Sequence, residues 1–365
     1  MSTSPAGLEL RPLPLPASVD ADDAGDFVEM VRVRNLISTE ISGHDDFHLA
    51  PHELLPAYAP DPNERRMLWV VVLDGEMVGR VGVDIPLEEG SRVAYWLVEL
   101  RRSVWGRGIG TAASELVERT ARAHRRTVLQ SWAQHPASAD PRLPSPTGFG
   151  SVPRDHSARF YLRHGHTLEQ VERISALDLT DPRLNAHLQG LLEQATVAAE
   201  GYRVVQWELP TPPEFVEGYA WMKSRMITDA PAAGLEFDEE VWDADRLRRH
   251  ERFYLDARRR MLVTAAQHVD SGDIVAFNEL VVGGDGTQAT QQEDTLVLSE
   301  HRGHRLGMLV KCAALIAWRS VAPGSPRVLT TNAEENRPML DINEAIGFVP
   351  IAYEGGWKKV LSPGE

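Results

Sequence analysis

The chain has 365 residues and carries 38 basic against 53 acidic side chains, a formal net charge of −15. That acidic excess works against a polynucleotide partner, whose phosphates are held chiefly by surplus Lys and Arg; it suits a small cationic substrate and equally an acidity that serves solubility alone. With 42% hydrophobic and 25% charged residues the composition is globular, and the length is ordinary for two domains, each able to bury its own core.

Gly7–Leu13 reads as a first strand, confined to a sheet edge by Pro12, Pro14 and Pro16. Asp20–Asp23 supply capping carboxylates for a helix through about Ser38. Ile41–Asn63, with four prolines and little periodicity, reads as a loop on the substrate side. Met67–Leu73 and Met77–Asp84 form a hairpin about the Asp74-Gly75 turn. Arg92–Leu100 is the next strand. It enters a turn containing Trp105, Gly106, Arg107, Gly108, Ile109 and Gly110, which opens the helix Thr111–His124. After the strand Thr127–Ala133, Pro136–Pro153 is a proline- and glycine-rich insertion, either a lid or a tolerated surface loop. His156–Arg163 is a short helix and Leu168–Leu179 a strand.

Thr180–Gly201 contains a helical linker, and Tyr202–Leu209 begins a second run of the same order. A helix over Pro213–Thr228, a polar loop and a helix through Arg260 are followed by the hairpin Met261–Val282, which turns at Ser271-Gly272. The strand Gln292–Leu298 enters a turn of Arg302, Gly303, His304, Arg305, Leu306 and Gly307 before another amphipathic helix, and the last strand is near Val349–Val360. The two glycine turns lie 197 residues apart (303 − 106). A repeat that long indicates two copies of one domain. The expected boundaries are 1–180, a linker over 181–201, and 202–365.

A strand, a glycine turn and a helix place unpaired backbone N–H groups and the positive end of a helix dipole where an anion can bind. The closing segments pair with these turns: Ala158, Phe160, Tyr161, Gly165 and His166 in the first half, and Thr331, Asn332, Asn336, Met339, Asn343, Gly347 and Phe348 in the second. This pattern, made twice, resembles the GNAT family of N-acetyltransferases. The resemblance implies an α/β fold of the α+β type, with two GNAT-like domains. Each would be a mostly antiparallel mixed sheet splayed after its fourth strand and flanked by helices.

It also implies acetyl transfer from acetyl-CoA to the amine of a small molecule by direct attack on the thioester. Main-chain N–H groups freed by a bulge, at about Val98–Leu100 and Thr295–Val297, would polarise the carbonyl. The CoA-binding residues are then expected at Val98, Leu100, Trp105, Gly106, Arg107, Gly108, Ile109 and Gly110. In the second half they are expected at Leu296, Val297, Arg302, Gly303, His304, Arg305, Leu306, Gly307, Asn332 and Asn336. Tyr161 matches the tyrosine that often protonates the leaving thiolate, and Asn343 stands in its place in the second half. In the first half Glu99 should face away from Val98 and Leu100, leaving no clear base. In the second, Glu293 and Asp294 are the candidate bases, which favours that half as the catalytic one. Two other readings stay open: a protein that binds acyl-CoA without turnover, and an enzyme that acetylates proteins.

A single cysteine, Cys312, leaves no intramolecular disulfide and no multi-cysteine metal site, and no metal is expected. No apolar run reaches the ~20 residues that span a membrane. The start MSTSPAGLEL lacks the basic region and apolar core of a signal peptide, so a cytoplasmic location without a membrane partner is expected.

Overall fold

The structure, a computed structural model, describes residues 5–136, 138–229 and 231–362. Its contacts group into two compact units that do not divide the chain at one point. The first takes the chain up to Glu172, then Ala232–Asp238 and the chain from Ala352 onward; the second takes Arg173–Pro231 and Glu239–Ile351. This differs from boundaries at 180 and 202. The reason is a strand pairing between distant parts of the sequence, described below.

The first unit is assembled from β1 (Leu8–Pro12), α1 (Gly25–Ser42), α2 (Pro51–Leu54), β2 (Glu64–Leu73), β3 (Glu76–Pro86), β4 (Val93–Leu100), α3 (Ile109–Ala123), β5 (Val128–His135), β6 (Arg142–Pro144), β7 (Ser151–Pro153), α4 (His156–Arg163) and the first half of β8 (Thr167–Asp178). The last part of β14 (Val349–Val360), which comes much later in the chain, completes it. Strands β1 to β4 pair antiparallel in order, β4 pairs parallel with β5, and β5 pairs antiparallel with β14 from His135↔Tyr353 to Val128↔Val360. The alternation of β2 sorts its side chains. Leu68 and Val70 pack with Phe27, Met30 and Ile37 of α1, while Val71 and Leu73 pack with Ile109, Ala113 and Val117 of α3. Each such side chain, fully buried, contributes roughly 1.5–3 kcal/mol of transfer free energy. Helix α1 starts at Gly25 without a side-chain cap, so Asp20–Asp23 precede it; Gly43, in the left-handed region, closes it. The Pro136–Pro153 insertion folds into a small two-stranded sheet, β6–β7.

The second unit contains the rest of β8, then α5 (Leu184–Ala198), β9 (Tyr202–Glu208), α6 (Val216–Asp229), α7 (Ala244–Asp256), β10 (Arg260–His268), β11 (Ile274–Val282), β12 (Thr290–Val297), α8 (Leu306–Val321), β13 (Arg327–Ala333) and α9 (Arg337–Ile346). Here β9, β10, β11 and β12 pair antiparallel and β12 pairs parallel with β13. Each unit is therefore a mixed, mostly antiparallel sheet flanked by helices.

Both sheets part at the same place. β4 pairs with β5 only through Val93–Tyr95, and β12 with β13 only through Thr290–Gln292, so the strands diverge just before each glycine turn. A bulge accompanies only the second divergence. Glu293 and Asp294 both oppose Glu279, whereas β4 stays in register with β3 from Tyr95 to Leu100. The expected bulge at Val98–Leu100 is thus absent, and that of β12 lies just before Thr295.

Candidate active site

The two turns are superposable in outline. In each, a short 3-10 segment (Arg102–Val104, Ser299–His301) leads to a left-handed residue that caps the helix, Gly108 before α3 and Arg305 before α8. The indole N–H of Trp105 donates to the Leu100 carbonyl at 3.0 Å, and Nε of Arg302 donates to the Val297 carbonyl at 3.3 Å. A side-chain donor thus ties turn to strand at matching positions. Gly106 and Gly303 have φ of 75° and 90°, and a Cβ at either would meet no other atom within 4 Å. That open space is what a phosphate needs for close approach to the backbone. Gly110 and Gly307 are different. Their missing Cβ atoms let helices approach, with Phe160 at 3.0 Å and Ile342 at 2.8 Å from the positions a Cβ would take.

In the first unit the parted strands and the turn open on one cavity of about 490 Å³. Val98, Leu100, Trp105, Gly106, Gly108 and Gly110 line it, together with Tyr161. Arg107 is exposed beside the turn and Ile109 is buried in the core. Arg101 N–H donates to the Val78 carbonyl at 2.9 Å, so alternation turns the N–H groups of Val98 and Leu100 the other way, to the side where β5 has diverged. Two arginines of α4, Arg159 and Arg163, also line the cavity. These groups fit a pyrophosphate at the turn and a thioester carbonyl at the strand edge.

Tyr161 is 6% exposed, its ring stacked on Trp357 at 4.9 Å and its hydroxyl 2.8 Å from Ser131 Oγ. Burial pushes its phenol up to about 12, so the proton is retained at neutral pH. On the opposite face of the sheet stands Glu99, which also lines the cavity. Glu99 accepts from Arg80 Nε at 2.6 Å. Burial raises its carboxyl, but Arg80 outweighs that and leaves it below the ordinary carboxylate range. A second carboxylate there, Glu354 on β14, had no place in the sequence argument. It lies opposite Gln134 on β5, lines the cavity, and has no side-chain partner among the described residues. Burial pushes its carboxyl up to about 7. No linear signal points to it, because it follows Tyr161 by 193 residues (354 − 161), more than the length of a domain.

The second unit is built differently at the acceptor end. Asp294 accepts from Lys223 Nζ of α6 at 2.6 Å, and the same ammonium donates to Glu279 at 3.1 Å. Tyr219 also donates to Glu279. Burial alone would lower the Lys223 ammonium, yet the two carboxylates hold it raised. Glu293, beside Asp294 in the bulge, is exposed. Asn343, at the tyrosine's position, donates to Asn332 at 2.7 Å. Asn336 caps α9 through its backbone without a side-chain bond. Leu306 is buried in the core, as is Leu296, whose N–H faces β11, whereas that of Val297 faces the diverging side. His304 and Arg305 are exposed at the turn. Tyr161 is therefore gathered with the first turn, while Glu293 and Asp294 belong to the other unit.

Residues 31–139 match the family model described as the acetyltransferase (GNAT) family. No curated protein matches the chain. Among solved structures, a tandem GNAT protein from the clavulanic acid biosynthesis pathway, solved without AcCoA, is 24% identical with a TM-score of 0.76, covering 98% of this chain and 100% of that one. A GCN5-related N-acetyltransferase from Sphaerobacter thermophilus is 16% identical with a TM-score of 0.63, covering 100% of this chain and 98% of its own. The chain thus resembles a tandem of two GNAT-like units, and its fold is that of tandem GNAT proteins. Among the described residues no helix is long and apolar enough to cross a membrane, and no group of three His, Cys, Asp or Glu is placed to hold a metal ion.

Proposed function

We propose that this chain is an acetyl-CoA-dependent N-acetyltransferase acting on a small-molecule amine, and that its working site is the cavity of the first unit. The observation that carries this reading is the convergence on that one cavity of an open glycine turn, two strand-edge N–H groups and a proton-retaining phenol. Bound acetyl-CoA would supply an activated acyl thioester. Gly106, Gly108 and the first N–H groups of α3 hold the phosphates, and Arg159 and Arg163 add charge. The N–H groups of Val98 and Leu100 hold the carbonyl oxygen and stabilise the charge that develops on it. Tyr161 holds a proton for the departing sulfur.

The second unit supports a different reading. Its turn retains open backbone at Gly303, but its acceptor-side carboxylates Glu279 and Asp294 already hold the ammonium of Lys223. We infer that it binds acyl-CoA without transfer. Residues 31–139 carry the family match, and all of them lie in the first unit.

The test is release of CoA thiol from acetyl-CoA by purified protein across a panel of primary amines. Amine-dependent release is expected. Binding of acetyl-CoA without release to any amine would favour the non-catalytic alternative, and acetylation of proteins alone would favour the other.

A further inference from the structure

Of the carboxylates around the first cavity, one is supplied by the far end of the chain. β14 lies alongside β5 with Glu354 opposite Gln134 and Gly356 opposite Trp132. That register puts Glu354 on the face of the sheet that carries Trp132, Leu97 and Glu99, under Ile37 and Ile41 of α1 and the loop residue Phe47. Apolar Ile37, Ile41, Phe47, Leu97 and Trp132 line much of the wall there, beside the polar Arg34, Ser38 and Gln134.

We propose that the Glu354 carboxylate is the acceptor-side group of this cavity, receiving the ammonium of a primary amine carried on an apolar body and taking its proton. The inference rests on the acyl-transfer reading above and names its acceptor class and base. Three observations carry it. Glu354 lines the cavity and has no side-chain partner among the described residues. Glu99 is already held by Arg80. The second unit shows the same chemistry filled, with Lys223 donating to Glu279 and Asp294 beside the corresponding splay.

The charged groups around Glu354 come from each neighbouring element. β4 brings Glu99, and α1 brings Arg34, whose guanidinium donates to Asn35 Oδ1 at 3.0 Å and to the Phe47 carbonyl. β5 brings only uncharged Trp132 and Gln134. On β8, Gln170 lies beside Gly356, which places Glu172 next to Glu354 by alternation. α4 brings Tyr161, along with the arginines and histidines of its cavity face. Burial holds the Glu354 carboxyl near 7, where it can accept a proton at neutral pH and release it again.

The step balances. The ammonium gives one proton to Glu354, and the neutral nitrogen forms a bond to the thioester carbon as the C–S bond breaks. The sulfur takes a proton from Tyr161, the nitrogen's second proton restores the phenol, and Glu354 returns its proton to water. One amide, one thiol and one proton result.

Glu354→Gln tests this with three readouts, using phenethylamine as the probe. Calorimetry at pH 8 should show probe affinity falling at least about tenfold, with CoA affinity within about twofold of wild type. Turnover should fall about 100-fold or more, and the acidic limb near pH 7 should vanish from the kcat/KM profile. The third readout needs no acceptor. A carboxyl raised in the folded state binds its proton more tightly there, so wild type loses stability as pH rises from the ordinary Glu value through about 7. The variant should therefore melt above wild type at pH 8 and level with it near pH 4. Unchanged probe affinity and an unchanged acidic limb would overturn the proposal, as would equal melting at both pH values. If wild type acetylates no amine but binds the probe through Glu354, the acceptor site stands and the transfer reading falls. If it neither binds nor acetylates, both fall.

Discussion

Before helix α3 the left-handed position is Gly108, and before helix α8 the same position holds Arg305; at the splay, the first unit leaves Glu354 without a side-chain partner among the described residues while the second ties Glu279 and Asp294 to Lys223. One frame has thus been kept twice with different loading. The backbone frame depends on features that tolerate substitution: a 3-10 turn, a helix start and a strand pair that separates. The chemistry depends on single side chains at the acceptor end, and these differ: the first unit ties Glu99 to Arg80 but has Glu354 besides. An internal ammonium that satisfies one buried carboxylate, Glu279, and a part-exposed one, Asp294, makes a stable core and a poor receiver for another ammonium.

The largest effect should come from breaking that internal pair. Lys223→Met leaves two carboxylates without their cation, and removing one partner of a buried pair costs about 3–5 kcal/mol. Burial raises Glu279, so protonation relieves the loss at low pH. The drop in melting temperature should be large at pH 8 and smaller at pH 5; an equal drop at both would mean that Glu279 is not the group left stranded.

Tyr161→Phe should lower turnover about 10- to 100-fold, since general acids contribute at that scale, with CoA affinity little changed. Loss of the Ser131 contact should cost ~1 kcal/mol of stability. Full turnover in this variant would remove the phenol from the mechanism. Arg305→Gly should have the smallest effect. It relieves a non-glycine residue at φ 53° and stabilises the second unit by about 1 kcal/mol. It would sharpen the comparison if CoA affinity at that turn also rose, and no change in either quantity would show that the left-handed position costs nothing.

What the sequence made legible was local. The glycine turns, the Asp74-Gly75 hairpin and the strand Val349–Val360 follow from short-range chemistry and appear where the residues put them. What it hid was non-local. Nothing near Glu354 says that its strand pairs with β5, because the pairing joins parts of the chain more than 200 residues apart. Asp294 looked like a free carboxylate because its partner lies on a helix 71 residues upstream. Glu99 was set aside because alternation puts it on the face away from Val98 and Leu100, and the cavity reaches both faces once the strands part.

The central claim, that the first turn serves transfer and the second does not, is tested most directly by a matched pair of substitutions. Gly106→Val and Gly303→Val each place a β-branched side chain at a positive φ in open space, so their backbone strain is comparable and each blocks one phosphate cradle. Amine-dependent CoA release should fall at least about tenfold in Gly106→Val and stay within about twofold of wild type in Gly303→Val. The reverse pattern would place transfer in the second unit and contradict the account.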